Sequence, residues 1–409
     1  MSKRASNGEG SITLRNDGRW MGRMTIDGVR KTVYGKSRPE VKKKLKEWQE
    51  DVIKGEYVDV NKLTVGEWLD GWLKEYALPS VRQSTYVSYE GNTRLHVKPE
   101  IGDIKLQSLS NDNLQRLFNV LQQSGNKVSK NKGLSPKTLH NIYNMLHAAL
   151  DQAIINKKIK FNPIMGVKLP KIEDPEMRVF TRKEQGALTD AALNSPELQA
   201  FGIIFDLSTG VRVGELVGLK WGDLNLEKHT VMVRRTVERL MKINAEETEP
   251  STEIVIGPPK TKKSIREIPL FSEIWNDLMK YKKRQDELKE QYPGVYDDQD
   301  YIFCFPDGRL IEPRTYADLF DRTIKKAKIK KANIHSMRHT FATRALESGM
   351  DINTLSVLLG HSHPSITLNR YGHVLPNQKK SSMNRMSNFY SAESLAYLDE
   401  YDDESDGQI

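Results

Sequence analysis

Six positions in the second half of this 409-residue chain carry side chains that together suit one kind of chemistry. They lie in five short strings: Ser208-Thr-Gly-Val-Arg-Val-Gly-Glu-Leu216, Gly257-Pro-Pro-Lys-Thr-Lys-Lys-Ser264, His335-Ser-Met-Arg-His-Thr-Phe341, Leu358-Leu-Gly-His-Ser-His363 and Arg370-Tyr-Gly-His373. Tyr371 is a poor nucleophile at neutral pH, because a phenol has a pKa of about 10. An imidazole can accept its proton, and His335 suits that role. Arg212 and Arg338 suit bidentate hydrogen bonding to the non-bridging oxygens of a phosphate, where charge builds during transfer. His361 adds a donor. A lysine of the second string, Lys260, Lys262 or Lys263, can protonate a departing alkoxide if neighbouring cations lower its pKa. The set describes phosphoryl transfer to tyrosine. It needs no metal, since two arginines supply the charge, and no ATP, since a phosphotyrosyl ester conserves the energy of the broken bond.

Each string alone has a plainer reading. Arg212 opens a helix after a glycine turn, a common junction, although a phosphate is already favoured there by backbone N–H groups. Lys260, Lys262 and Lys263 lie between two strand patterns, where a lysine-rich hairpin tip is usually just solvated. His335 and His339 have the spacing of the HExxH zinc motif, but Ser336 stands where the glutamate is needed. His361, His363 and His373 have no carboxylate or thiol among them. Tyr371 and Tyr390 each suit a core position. Met337, Phe341 and Leu346 read as core beside the His335 and Arg338 face. Residues 351–360 read as scaffold for His361 rather than as half of a helix-turn-helix.

In this order and at these separations, the strings closely resemble the tyrosine recombinases, and among them the integrases of phages and integrative conjugative elements. The resemblance extends over most of the chain. It implies a site-specific recombinase that integrates and excises a mobile element through a 3′-phosphotyrosyl intermediate. It implies Arg212 and Arg338 as the two catalytic arginines, Lys260 as the hairpin lysine with Lys262 as competitor, His335 and His361 as the histidines, and Tyr371 as nucleophile. Glu215, three residues after Arg212, matches a supporting carboxylate. The implied partners are double-stranded DNA at core and arm sites, a homotetramer on two duplexes, and an accessory DNA-bending or excision factor. No cofactor is implied. Segments beyond Val374 are expected to pack on a neighbouring subunit. The rivals are the same chemistry used for chromosome-dimer resolution, a type IB topoisomerase, and a DNA-binding regulator with a decayed site.

The elements that must position these residues read as a multidomain chain. Residues 1–55 form an arm-type DNA-binding module of three strands and a helix. Asn16-Asp17-Gly18 and Asp27-Gly28 are its turn signals. Arg15, Arg19, Arg23 and Arg30 give its sheet a basic face suited to a DNA groove. Ser37-Arg-Pro-Glu40 opens a helix whose apolar stripe is Val41, Leu45 and Trp48. After a linker near residues 55–63, residues 64–160 form an all-α core-binding domain of four helices, opened by Thr64, Ser84, Ser110 and Ser135. The second of these is expected to end before Pro99, and a basic loop runs from Gly125 to Gly133. A second linker spans residues 162–175. Residues 175–390 then form a mixed α+β catalytic domain, in which Thr230–Thr236 and Thr252–Ile256 look like paired strands and Arg266–Leu270 a third. Residues 391–409 are an acidic tail.

Bulk properties agree with a DNA-binding reading. Lysine and arginine exceed aspartate and glutamate by 63 to 54, a net charge of +9, which favours a polyanionic partner. No apolar run approaches the roughly 18 residues of a membrane span, and no signal peptide is apparent, so a cytoplasmic location in a bacterial host is expected. The single cysteine, Cys304, cannot form an internal disulfide and reads as core in a buried strand, Tyr301-Ile-Phe-Cys-Phe305.

Overall fold

The computed structural model describes residues 10–26, 29–53, 62–126, 132–173, 177–243, 250–259, 261–372 and Met383. The Asp27-Gly28 turn, most of the first linker, His373, Tyr390 and the acidic tail lie outside them. Packing divides the chain into two units, Met1–Asp174 and Pro175–Ile409.

The first unit opens with an antiparallel sheet of three strands, β1 (Ser11–Leu14), β2 (Trp20–Ile26) and β3 (Val29–Gly35), followed by α1 (Arg38–Ile53). Side chains alternate across a strand, so Ile12, Met24 and Val33 point to the helix and pack with Val41, Leu45 and Trp48. The opposite phase carries Arg23 and Arg30, both exposed. Arg15 and Arg19 sit at the first turn, their guanidiniums 5.6 and 5.8 Å from the centre of the exposed Tyr34 ring. All four arginines therefore belong to the outer side of the module.

Four main helices follow: α2 (Val65–Trp72), α3 (Gln83–Asn92), α4 (Asn111–Ser124) and α5 (Pro136–Ile155). Hydroxyls of Thr64, Ser110 and Ser135 cap three of them by accepting N–H bonds from the first turn. Their apolar stripes, among them Trp68, Leu69, Leu117, Phe118, Leu146 and Ala149, form one core. The Trp68 indole donates to the Ala149 carbonyl at 3.0 Å, fixing α2 on α5.

The helix expected to stop before Pro99 does not. A single π-turn, Thr93–Val97, carries it into the helical turn Lys98–Ile101. The same device, Leu73–Ala77, carries α2 past Pro79 into Leu78–Ser80. In each case the residue before the proline donates its N–H five residues back, Leu78 to Leu73 and Lys98 to Thr93. The wider turn accommodates a ring that would otherwise collide with the preceding carbonyls. Residues 162–170 also differ from a free linker. Ile164 is fully buried, and the Asn111 side chain donates to the carbonyls of Pro163 and Met165 at 3.1 and 2.9 Å.

The second unit is mixed. Helices α6 (Arg182–Leu193), α7 (Phe201–Thr209) and the short α8 (Val213–Leu216) lead into strands β4 (Leu224–Asn225), β5 (Thr230–Val233), β6 (Thr236–Met241), β7 (Thr252–Gly257) and β8 (Arg266–Pro269). Then come α9 (Ser272–Gln291), α10 (Pro313–Lys326), α11 (His335–Glu347), α12 (Ile352–Leu359) and α13 (Pro364–Tyr371). The strand pairing differs from the sequence reading. β5 pairs with β4 and β8, while β7 pairs with β6 as a separate ribbon. The run from Thr230 to Thr236 breaks because Arg234 and Arg235 turn to the buried Asp223 carboxylate, Arg234 at 2.9 Å. Cys304 is buried, but its segment makes isolated bridges rather than a strand. Among the described residues no helix is long and apolar enough to cross a membrane.

Candidate active site

The site is assembled where α7 and α12 end. Each helix stops at a glycine in the left-handed region, Gly210 at φ +63° and Gly360 at φ +64°. Those two turns leave two helix-terminal carbonyls, Gly210 O and Leu359 O, aimed at one point. Arg338 of α11 fills it, donating Nη1 to Gly210 O at 2.7 Å and Nη2 to Leu359 O at 2.6 Å. Partial negative charge at both helix C-termini holds the cation there. Burial and the nearby Arg212 pull its pKa down to about 9, which still leaves it protonated at neutral pH. A Cβ on Gly360 would lie 2.9 Å from Arg266 Nη1, in a conformation that L-residues avoid. Gly360→Ala should therefore cost about 1–2 kcal/mol, read as a fall in Tm, and should slow any strand cleavage by moving the His361 turn.

Arg212 stands at the N-cap of α8. Its backbone N–H donates to Glu215 Oε2 at 3.1 Å and its Nη1 to Glu215 Oε1 at 2.7 Å. The guanidinium remains 40% exposed, so its other donors face outward. Glu215 itself is buried and shared, since Arg266 donates Nη2 to its Oε2 at 2.8 Å. Burial alone would raise the Glu215 carboxyl. Arg266 and Arg212 outweigh that and hold it below the usual range, ionised at neutral pH.

Arg266 also staples the lysine hairpin to the His361 turn. Its Nη1 donates to Ser264 O at 2.9 Å and its Nε to Leu358 O. Lys263 Nζ donates to Ser362 O at 2.9 Å and Ser264 Oγ to Gly360 O at 3.3 Å. Lys263 is thus engaged. Lys260 lies outside the described residues, as does the side chain of Lys262.

His361 Nδ1 is 2.8 Å from the buried Thr367 hydroxyl. Burial, then Arg338 and Arg212, lower its pKa to about 3, so the ring is neutral and Nε2 is its other polar atom. His335 begins α11; burial and its neighbour His339 bring it down to about 4. Arg212, Glu215, His335, Arg338, His361 and Arg370 all line one open cavity of about 500 Å³. Its charge suits an anion.

Tyr371 ends α13 with its ring buried at 1% exposure among Ala342, Leu346, Leu355 and Leu359. Burial raises its pKa above the ordinary phenol value, against the pull of Arg338 and Arg370. Its hydroxyl is 2.7 Å from Nδ1 of His339. The sequence reading offered that proton to His335. The structure puts His339 at the phenol instead, one helical turn further along α11, and His335 meets His339 edge-on at 4.8 Å between ring centres.

Residues 178–378 match the phage integrase family, and residues 64–122 match the phage integrase N-terminal SAM-like domain. A "Tyrosine recombinase XerC-like" protein of Caldanaerobacter subterraneus is 31% identical over 376 residues, 88% of this chain and 92% of that relative. The chain belongs to the phage integrase family of tyrosine recombinases. The ICEBs1 integrase of Bacillus subtilis is 25% identical to the recombinase over 305 residues, 73% of this chain and 77% of that one. The fold is shared with the Tn1549 transposon integrase in complex with a circular intermediate DNA, at TM-score 0.62 and 22% identity, covering 79% of the recombinase and 99% of that chain. It is shared also with a lambda integrase tetramer bound to a Holliday junction, at TM-score 0.53 and 18% identity, covering 90% and 97%.

The structure of the recombinase thus brings Arg212, Glu215, His335, Arg338 and His361 to one cavity and Tyr371 beside it. Arg15, Arg19, Arg23 and Arg30 belong to the other unit. Sequence reasoning missed Arg266, His339, Thr367 and Arg370. For Arg266 a signal existed. It is in phase with Ile268 and Leu270, and a charged residue at inward strand positions needs a buried partner.

Proposed function

We propose that the recombinase integrates and excises a mobile DNA element, with Tyr371 attacking a scissile phosphate to give a 3′-phosphotyrosyl intermediate and a free 5′-hydroxyl. The observation that carries this reading is the cavity: three arginines, Arg212, Arg338 and Arg370, and two neutral histidines surround a space of phosphate-binding character at the end of the helix bearing Tyr371. Arg212 and Arg338 hold the non-bridging oxygens, and because both are already fixed by Glu215 and by helix-end carbonyls, little reorganisation is needed as charge builds. His361, oriented by Thr367, adds a donor through Nε2. Glu215 aims Arg212. Lys260 or Lys262 protonates the departing 5′-oxygen. The reaction needs neither metal nor nucleotide.

In this reading the helical domain and catalytic unit grip the duplex core sites, four copies act on two duplexes, and residues beyond Val374 join neighbouring copies. The arginine face of the first module reads arm sites with an accessory protein present. Arg23→Ala and Arg30→Ala should each weaken arm-site binding and reduce its salt slope by about 1, checked by titrations at several salt concentrations. An unchanged slope removes both from the interface.

The test is a plasmid carrying the element's joined ends, incubated with the full chain in EDTA. Site-specific exchange supports the reading. Relaxation without site preference means a topoisomerase, and binding without strand exchange means a regulator. Full exchange between bare core sites after deletion of residues 1–55 favours dimer resolution.

A further inference from the structure

Among the described residues, His339 is the side chain hydrogen-bonded to the Tyr371 hydroxyl. Its Nδ1 lies 2.7 Å from the Tyr371 hydroxyl, with ring centres 5.8 Å apart. Both side chains are buried, and the tyrosine ring is gripped by Ala342, Leu346 and Leu355. The hydroxyl is held in a narrow range around that nitrogen. His335 lines the cavity wall, where the phosphate would sit.

We propose that His339 takes the phenol proton during strand cleavage and returns it during rejoining, an inference that rests on Tyr371 being the nucleophile. As Tyr371 Oη bonds to phosphorus, its proton passes to His339 Nδ1, the bond from phosphorus to O5′ breaks, and O5′ takes a proton from the hairpin lysine. In rejoining, the 5′-hydroxyl attacks, its proton returns to that lysine, and the imidazolium of His339 protonates the leaving phenolate. Accepting at Nδ1 requires the tautomer with hydrogen on Nε2.

The surroundings suit this cycle. Among the described residues, four titratable or charged groups act on the ring: Tyr371 and Arg370 from α13, and His335 and Arg338 from its own helix. Burial, then Arg370 and Arg338, keep its pKa near 4, so the ring is neutral and ready to accept. A phosphate seated on Arg212 and Arg338 offsets that cationic field and raises the proton affinity of His339 when DNA is bound.

The test compares the native chain with His339→Gln, whose carbonyl keeps an acceptor near the hydroxyl and cannot carry the proton away. Single-turnover cleavage is measured on a nicked suicide duplex and on the same duplex with sulfur in place of the bridging 5′-oxygen. Duplex affinity and Tm are checked alongside. The proposal expects His339→Gln to bind DNA normally and to cleave about 10²–10⁴-fold slower at neutral pH on both substrates, the deficit shrinking as pH rises toward the phenol's own pKa. A lysine variant, Lys260→Ala or Lys262→Ala, should instead recover on the sulfur substrate, whose leaving group needs no proton. Cleavage by His339→Gln within about threefold of native, or a deficit that ignores pH, overturns the proposal. Should the variant fold poorly, the native chain decides: its rate must fall on the acid side with one apparent pKa in the DNA complex, and a flat profile overturns the inference. Adduct formation by Tyr371→Phe would sink the nucleophile reading instead, so the two failures are distinguishable.

Discussion

Tyr371→Phe should bind its DNA with native affinity and leave no broken strand, a loss of at least about 10⁴-fold against a background without a nucleophile. The substitution removes one oxygen. The ring keeps its packing against Ala342, Leu346 and Leu359, so the core loses little. What is lost is the hydrogen bond to His339, worth about 0.5–1.5 kcal/mol. Tm should therefore move by only a few degrees while covalent chemistry disappears. The variant separates binding from cleavage. A gel shift on cognate duplex and a denaturing gel read the two. Residual cleavage above about a ten-thousandth of the native rate would point to another nucleophile.

Arg266→Met should have the largest effect on stability, about 3–5 kcal/mol, because it removes one partner of a buried ion pair and leaves the other charge in place. Arg266 and Glu215 are each 2% exposed and lie 2.8 Å apart. The same guanidinium serves the carbonyls of Ser264 and Leu358. Its removal leaves the lysine hairpin tied to the His361 turn only through Lys263 and Ser264, and leaves Glu215 with Arg212 alone. Chemical denaturation should show the loss in midpoint, and cleavage should fall with Arg212 no longer held from behind. The pair also shapes acid stability. The folded-state pKa of Glu215 is depressed, so its contribution is complete above the unfolded carboxyl value, about 4.3, and is lost as pH falls through the folded value. The native chain should lose stability over that acid range more steeply than Arg266→Met. Equal pH slopes would mean that the pair is not coupled as described.

How much of this was legible in the sequence follows from what each residue depends on. Arg212, His361 and Tyr371 stand beside glycines at helix ends, and a helix end with its turn is a local pattern; Arg338 was legible from its three-residue spacing to His335 on one helix. The fold class was equally local: caps at Thr64, Ser110 and Ser135 and apolar stripes at helical spacing needed no distant information. Failures came where distant groups decide. Strand partners were misread because Arg234 and Arg235 answer to Asp223, outside the strand. The helix expected to end before Pro99 ran past it because a π-turn, invisible to a rule about proline, gave the ring room. His339 was legible as a histidine but not as the partner of Tyr371. That depends on how α13 crosses α11, which no spacing encodes.

The central claim is that Tyr371 becomes covalently joined to DNA. We would trap the full native chain on nicked suicide duplexes from the element's ends in EDTA, digest the adduct and sequence the DNA-bearing peptide. Duplexes labelled at one strand end or the other give the polarity. The account predicts a peptide modified at Tyr371, attached to the 3′-phosphate, with a free 5′-hydroxyl opposite. A modified peptide elsewhere in the chain, attachment through a 5′-phosphate, or no adduct on DNA that is bound would contradict it.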